Sequence, residues 1–182
     1  GLLLVSNDDV VHAGAARKVD AARNTVWSPS AAKRLRRRID EARPDLVHVH
    51  NVFPLLSPSV LRAANATGVP IGWTVHNYRL GCVAGTHFRD RRICHDCAHG
   101  VPRAAGVVNR CYAGSAAASA ALTPAVLSFR SMARRYVRAI AVSEFVREWL
   151  IGQGFRADRV AVNHGAIVDP GAVGSAPSSS AR

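Results

Sequence analysis

Residues 44–80, PDLVHVHNVFPLLSPSVLRAANATGVPIGWTVHNYRL, read as a strand, a helix and a second strand, and both strands end in the dipeptide His-Asn. Leu46, Val47 and Val49 are apolar and favour extended backbone, which predicts a short buried strand over 46–50. Ser57-Pro58 then opens a helix: the hydroxyl can accept from an orphan N–H, and the proline ring is pre-set for the first helical position. Val60, Leu61 and Ala64 give that helix an apolar stripe, and Gly68 with Pro70 ends it. Residues 71–75 form the second strand. A strand, crossover helix and strand of this length make a right-handed βαβ unit, so the two strands run parallel with their C-terminal ends side by side.

That geometry predicts where function lies. Ligands of open α/β sheets bind in the crevice beyond the carboxyl ends of the strands. His50, Asn51, His76 and Asn77 all arrive at that edge, where polar side chains are hard to explain as packing. His48 and His50 share one strand face by the period of two, so one of them is expected to point beneath a helix. His48 reads as the structural histidine of the pair.

The rest of the chain supplies more of the same fold. Ser28-Pro29 repeats the helix-opening signature, with Ala31, Ala32, Leu35 and Ile39 on one side and Arg34, Arg36, Arg37 and Arg38 around the remainder. The Ala/Ser/Leu-rich run from Ser115 predicts a helix broken or kinked near Pro124. Residues 138–142 give a third strand, followed by Ser143 as the cap of a helix bearing Val146, Trp149 and Leu150. A helix N-terminus at a strand end is a ready anion site, although an ordinary cap accounts for Ser143 as well. Residues 159–163 form the last strand, with Asn163 at its C-terminal end.

Residues 81–114 break the pattern, being long, polar and irregular, and a stretch of that size in a compact domain is uncommon unless functional or stapled. It carries all four cysteines, Cys82, Cys94, Cys97 and Cys111, spaced C-x11-C-x2-C-x13-C. Four thiolates could hold a structural zinc, with His87, His95 and His99 as spare ligands. Disulfides, redox-active thiols and merely packed thiols remain open beside it.

Together PDLVHVHN, the SPSVLRAA helix, GVPIGWTVHNYRLGC, RRICHDC and RCYAGS resemble the N-terminal domain of family 4 glycosyltransferases, one half of the two-domain GT-B architecture. The likeness runs over residues 27–170. It implies a Rossmann-like domain over 1–170, with 81–114 as a Cys-containing insertion and 171–182 as a disordered tail or linker start. It also implies retaining transfer of a hexose from a nucleotide sugar to a glycan or lipid-linked acceptor, with no cofactor for catalysis. By motif His76 matches the histidine that reaches the transferred sugar, and Asn77 and Arg79 follow it at the cleft edge. Arg79 is placed there to grip a phosphate bidentately. His50 and Asn51 line the opposing lip, and Ser143 and Asn163 complete the substrate-binding set. The family's donor domain carries two glutamates eight residues apart. Only Glu41, Glu144 and Glu148 occur here, and residues 1–26 lack the family's glycine-rich loop. The expectation is therefore an acceptor-side fragment, truncated at its start and inactive alone.

Charge bears on partners. The formal net charge of +12 comes almost wholly from arginine, since Lys18 and Lys33 are the sole lysines. Such a surface favours anionic partners, nucleotide diphosphates or acidic lipid head groups among them. The arginine run of residues 34–38 has no interleaved aromatics to stack bases, so no nucleic acid is expected. Neither a signal peptide nor a long apolar span is present, which predicts a cytoplasmic chain with at most peripheral membrane contact. A non-catalytic basic α/β module that binds acidic glycan, lipid or nucleic acid is the competing reading.

Overall fold

The computed structural model describes residues 24–53, 56–97 and 104–165. Residues 1–23 and the tail 171–182 lie outside them, as does His99. Four strands form one sheet in the order β1-β2-β5-β6: β1 Val47–Val49, β2 Ile71–Val75, β5 Val137–Ala141 and β6 Val160–Val162. Every pairing in it is parallel, with Val47 opposite Ile71, Ile71 opposite Val137 and Ala139 opposite Val160. Helices α1 Pro29–Ala42, α2 Ser59–Asn65, α4 Ala116–Tyr136 and α5 Glu144–Gly152 flank the sheet. The architecture is α/β and Rossmann-like, as the strand and crossover pattern predicts.

The two serine-proline signatures work together. Ser28 caps α1, its hydroxyl accepting from the Ala31 N–H at 3.3 Å. The Ser28 N–H donates to Ser57 Oγ at 3.0 Å, and Ser59 Oγ donates to the Ser28 carbonyl at 2.8 Å. Because the single Ser59 proton goes to that carbonyl, the 2.8 Å contact between the hydroxyls of Ser57 and Ser59 has Ser57 as donor. All three serines are buried, so this closed network satisfies polar groups that would otherwise cost about 1–3 kcal/mol each. It ties the start of α1 to the start of α2.

Phe129 of α4 sits at the centre of the main core, edge-on to Trp73 of β2 at 5.1 Å and to Phe53 at 5.3 Å. A second, smaller cluster of Val83, Leu122, Ala125 and Val126 lies further along the same helix, with Cys97 and Tyr112 packed against it. α4 is one continuous element through Pro124, not a broken one. Its buried residues on either side of the proline, Leu122, Ala125, Val126, Phe129 and Ala133, hold both halves against the core, and Pro124 itself faces solvent.

Two local expectations are corrected. Leu46 is 52 % exposed and β1 alternates between half-buried and exposed, so β1 is an edge strand of the described sheet and not a buried one. The segment after β2 is not wholly irregular: it contains a hairpin of β3 Phe88–Arg89 and β4 Arg92–Ile93, and a short helix α3 Ala104–Val108. The hairpin turns through Asp90 and Arg91, both left-handed at φ 51° and 63°, the backbone of a two-residue type I′ turn.

Candidate active site

The parallel pairing of β1 and β2 brings the two His-Asn ends to one rim. His48 lies opposite Gly72 in the ladder, yet the side-chain contacts run two residues further along. His48 Nε2 meets Thr74 Oγ1 at 2.8 Å, His50 Nδ1 meets His76 Nε2 at 2.8 Å, and Asn77 Nδ2 donates to Asn51 Oδ1 at 3.0 Å. Each pair is diagonal across the strands, within reach of long side chains. Gly72 does not set this slant: a Cβ there would stand in ordinary contact with Leu46 and His48, at 3.8–3.9 Å.

Below the rim lies a cleft of ≈ 220 Å³, with His50, Asn51, Asn77 and Arg79 as its polar wall and Trp73 and Phe129 beneath. A larger hollow of ≈ 410 Å³ opens beside Asp40, Arg43 and Pro44, at the end of the sheet from which β1 departs. The site belongs to the smaller cleft, because it sits at the carboxyl ends of the strands and four polar side chains converge there.

His50 is held twice. Its carbonyl accepts from the Trp73 indole N–H at 2.9 Å, and its ring engages His76. Both imidazoles remain exposed, as does His48, so neither histidine of β1 lies beneath a helix as expected. Partial desolvation of the otherwise exposed ring, and then the neighbouring rings of His50 and His76, hold the His48 imidazole below its ordinary value.

Arg79 lines the cleft but points its fork elsewhere. Nη1 donates to the Val83 carbonyl at 3.0 Å and Nη2 to the Ala84 carbonyl at 3.5 Å, with the guanidinium 5.4 Å from the Tyr112 ring centre. The bidentate phosphate grip expected of it is therefore not presented; the arginine ties down the loop after β2. Burial lowers its pKa, and the opposing influence of Tyr112 is smaller. Ser143 accepts from the Val146 N–H at 3.2 Å as an ordinary cap of α5. Asn163 follows β6, its N–H bonded to the Ala141 carbonyl and its Oδ1 accepting from the Gly165 N–H. Both stand at the carboxyl edge of the sheet without lining the cleft.

The four-thiolate zinc site is not assembled. Among the described residues no group of three or more His, Cys, Asp or Glu side chains is arranged to hold a metal, and all four cysteines are free of disulfides. Cys82 and Cys97 stand near enough to Cys111 to act on its thiol, and Arg89 bonds to that thiol, without the side chains forming a metal-holding arrangement. Cys82 is buried in the turn that bonds back to Tyr78, Cys97 packs on the second core cluster, and Cys111 bonds through its N–H to the Gly106 carbonyl. His87, named as a spare ligand, donates Nδ1–H to the Cys94 carbonyl at 3.0 Å. Its Nε2 is buried without a hydrogen-bond partner among the described residues. Burial pushes the Cys111 thiol up, with Arg89 working against it, which does not favour a reactive thiolate.

Among the described residues no helix is long and apolar enough to cross a membrane. Comparison with curated proteins and with solved structures gives no match. The family model described as Glycosyltransferase Family 4 matches residues 4–168, the greater part of the chain and the whole of the sheet and rim. The chain belongs to glycosyltransferase family 4.

Proposed function

We propose that this chain is the acceptor-side half of a retaining glycosyltransferase that moves a hexose from a nucleotide sugar to a glycan or lipid-linked acceptor. The observation that carries this reading is the paired rim, with His50 against His76 and Asn51 against Asn77 above a ≈ 220 Å³ cleft at the carboxyl ends of two parallel strands. His76 orients a hydroxyl of the transferred sugar and stabilises charge as it develops, while Asn51 and Asn77 offer amide groups to acceptor hydroxyls. The leaving phosphate does much of the proton handling. Donor phosphates are met by a second Rossmann-like half, since Arg79 is engaged within its own loop. Arginine-rich α1, with Arg34, Arg36 and Arg38 exposed, suits peripheral contact with an anionic membrane on the cytoplasmic side.

Two assays test the reading. The 182-residue chain alone is expected to give no turnover of a nucleotide sugar, because it holds no pair of glutamates eight residues apart. Joined to a family 4 donor-binding half it is expected to transfer, and His76→Ala should lower kcat on the order of a hundredfold with the circular dichroism unchanged. Wild-type rates in that variant would remove His76 from the reaction, and absence of transfer by the joined protein would favour the non-catalytic module.

A further inference from the structure

The contact between His50 and His76 is more specific than two rings in proximity. The ring centres lie 5.2 Å apart, the planes are inclined by only 17°, and the nitrogens are separated by 2.8 Å. The difference between the two distances is what the centre-to-nitrogen radii of two imidazoles account for, so the N···N vector lies along the line of centres. With the planes nearly parallel, the rings are close to coplanar and meet edge to edge. This is the arrangement of one in-line N–H···N hydrogen bond, not of face-to-face stacking. It also differs from chelation, in which both lone pairs would turn toward a third point.

One ring must donate and the other accept, and two assignments are possible. If His50 Nδ1–H donates, His76 must accept at Nε2 and carry its own proton on Nδ1, which places both rings in the tautomer that a neutral imidazole disfavours. If His76 Nε2–H donates, both rings keep their proton on Nε2, the favoured form. No competing hydrogen bond opposes the second assignment: His48 lies 4.4 Å from His50 between centres, tilted by 41°, and bonds Thr74 instead. The accepting nitrogen is well placed, because the backbone of His50 is fixed by the Trp73 indole.

We propose that His50 is a positioning residue which, by accepting from His76 Nε2–H at its Nδ1, fixes the ring and tautomer of His76 and leaves His76 Nδ1 as the free nitrogen at the rim. This rests on the reading of His76 as the group that meets the transferred sugar. A neutral Nδ1 lone pair accepts and cannot donate, so it recognises a hydroxyl proton and offers nothing to a phosphate oxygen. His76 thereby selects a sugar hydroxyl over the diphosphate beside it, and the anionic part of the donor is left to other groups.

The test is nuclear magnetic resonance on the 182-residue chain with nitrogen-15-labelled histidine, at alkaline pH where imidazoles are neutral. The expected result is a proton on His76 Nε2, an unprotonated His76 Nδ1, and a coupling across the hydrogen bond to His50 Nδ1. His50→Ala should lose the coupling and expose the Nε2 proton to rapid exchange with water. His50→Asn, whose Oδ1 stands near the former Nδ1 and accepts in its place, should restore slow exchange. A proton on His50 Nδ1, no coupling in the wild type, or an unchanged Nε2–H signal in His50→Ala would overturn the proposal. Should His50→Ala fail to fold, the wild-type proton positions decide alone. No donor or acceptor is present in this measurement, so a correct tautomer with absent transfer would strike the proposed function and leave the His50 assignment standing.

Discussion

His48 illustrates how a rim residue can report on folding without joining the chemistry. Its Nε2 meets Thr74, and its pKa is held down by burial first and by His50 and His76 next, from an ordinary value of 6.5. The folded chain thus disfavours the protonated ring. As pH falls, the unfolded chain takes up the proton first, so stability is full above the ordinary value and declines as pH passes below it toward the folded value. The melting temperature is expected to fall between about pH 7.5 and about pH 5.5, and His48→Asn should shrink that fall. Equal slopes in the two proteins would assign the acid sensitivity elsewhere. Arg79 makes the complementary point: its position beside the His-Asn end suggests a phosphate, whereas its partners are the carbonyls of Val83 and Ala84. Backbone acceptors leave no trace in a sequence, so that engagement could be found only in three dimensions.

At the scale of elements, the short helix α3 presses directly on the loop after β2. A Cβ at Gly106 would stand 2.6 Å from Val83 Cγ2 and 3.3 Å from Cys97 Sγ, and Val83 is fully buried. Gly106→Ala is therefore expected to cost about 1–3 kcal/mol in urea unfolding, by overpacking. A variant as stable as the wild type would show that α3 is free to move away. The same contrast decides which elements were legible. The unit β1–α2–β2 could be read because apolar runs, Ser57-Pro58 and Gly68 each mark a boundary, and Gly68 does adopt the left-handed φ of 77°. The hairpin could not: its strands are two residues each, and Asp90-Arg91 lacks the glycine that usually announces such a turn. Pro124 argued for a break or a kink, and no break occurs there, burial on both sides of it keeping α4 in one piece. For the rim, the period of two and the crossover length sufficed to bring His50 near His76, but the two-residue slant of the contacts lies in the side-chain conformations, which residue spacing does not announce.

For the whole molecule, α4 is the beam between two cores: Phe129 and Ala133 serve the sheet, and Leu122, Ala125 and Val126 serve the Val83 cluster that underlies the cysteine-bearing loop. Leu122→Ala should thus loosen one region and spare the other. Amide exchange is expected to speed up across the loop after β2 while β2 and β5 stay protected, a local opening below global unfolding. Uniform acceleration throughout would mean a single cooperative core. The rim belongs to the sheet side of this division, because Trp73, packed on Phe129, also grips the carbonyl of His50. The anchor is on the main chain, and the imidazole beyond it is hydrogen-bonded to His76. A visitor that prises the two rings apart would swing one side chain about its Cα–Cβ bond and leave the post on which it turns unmoved. The entrance can change its latch without disturbing its frame.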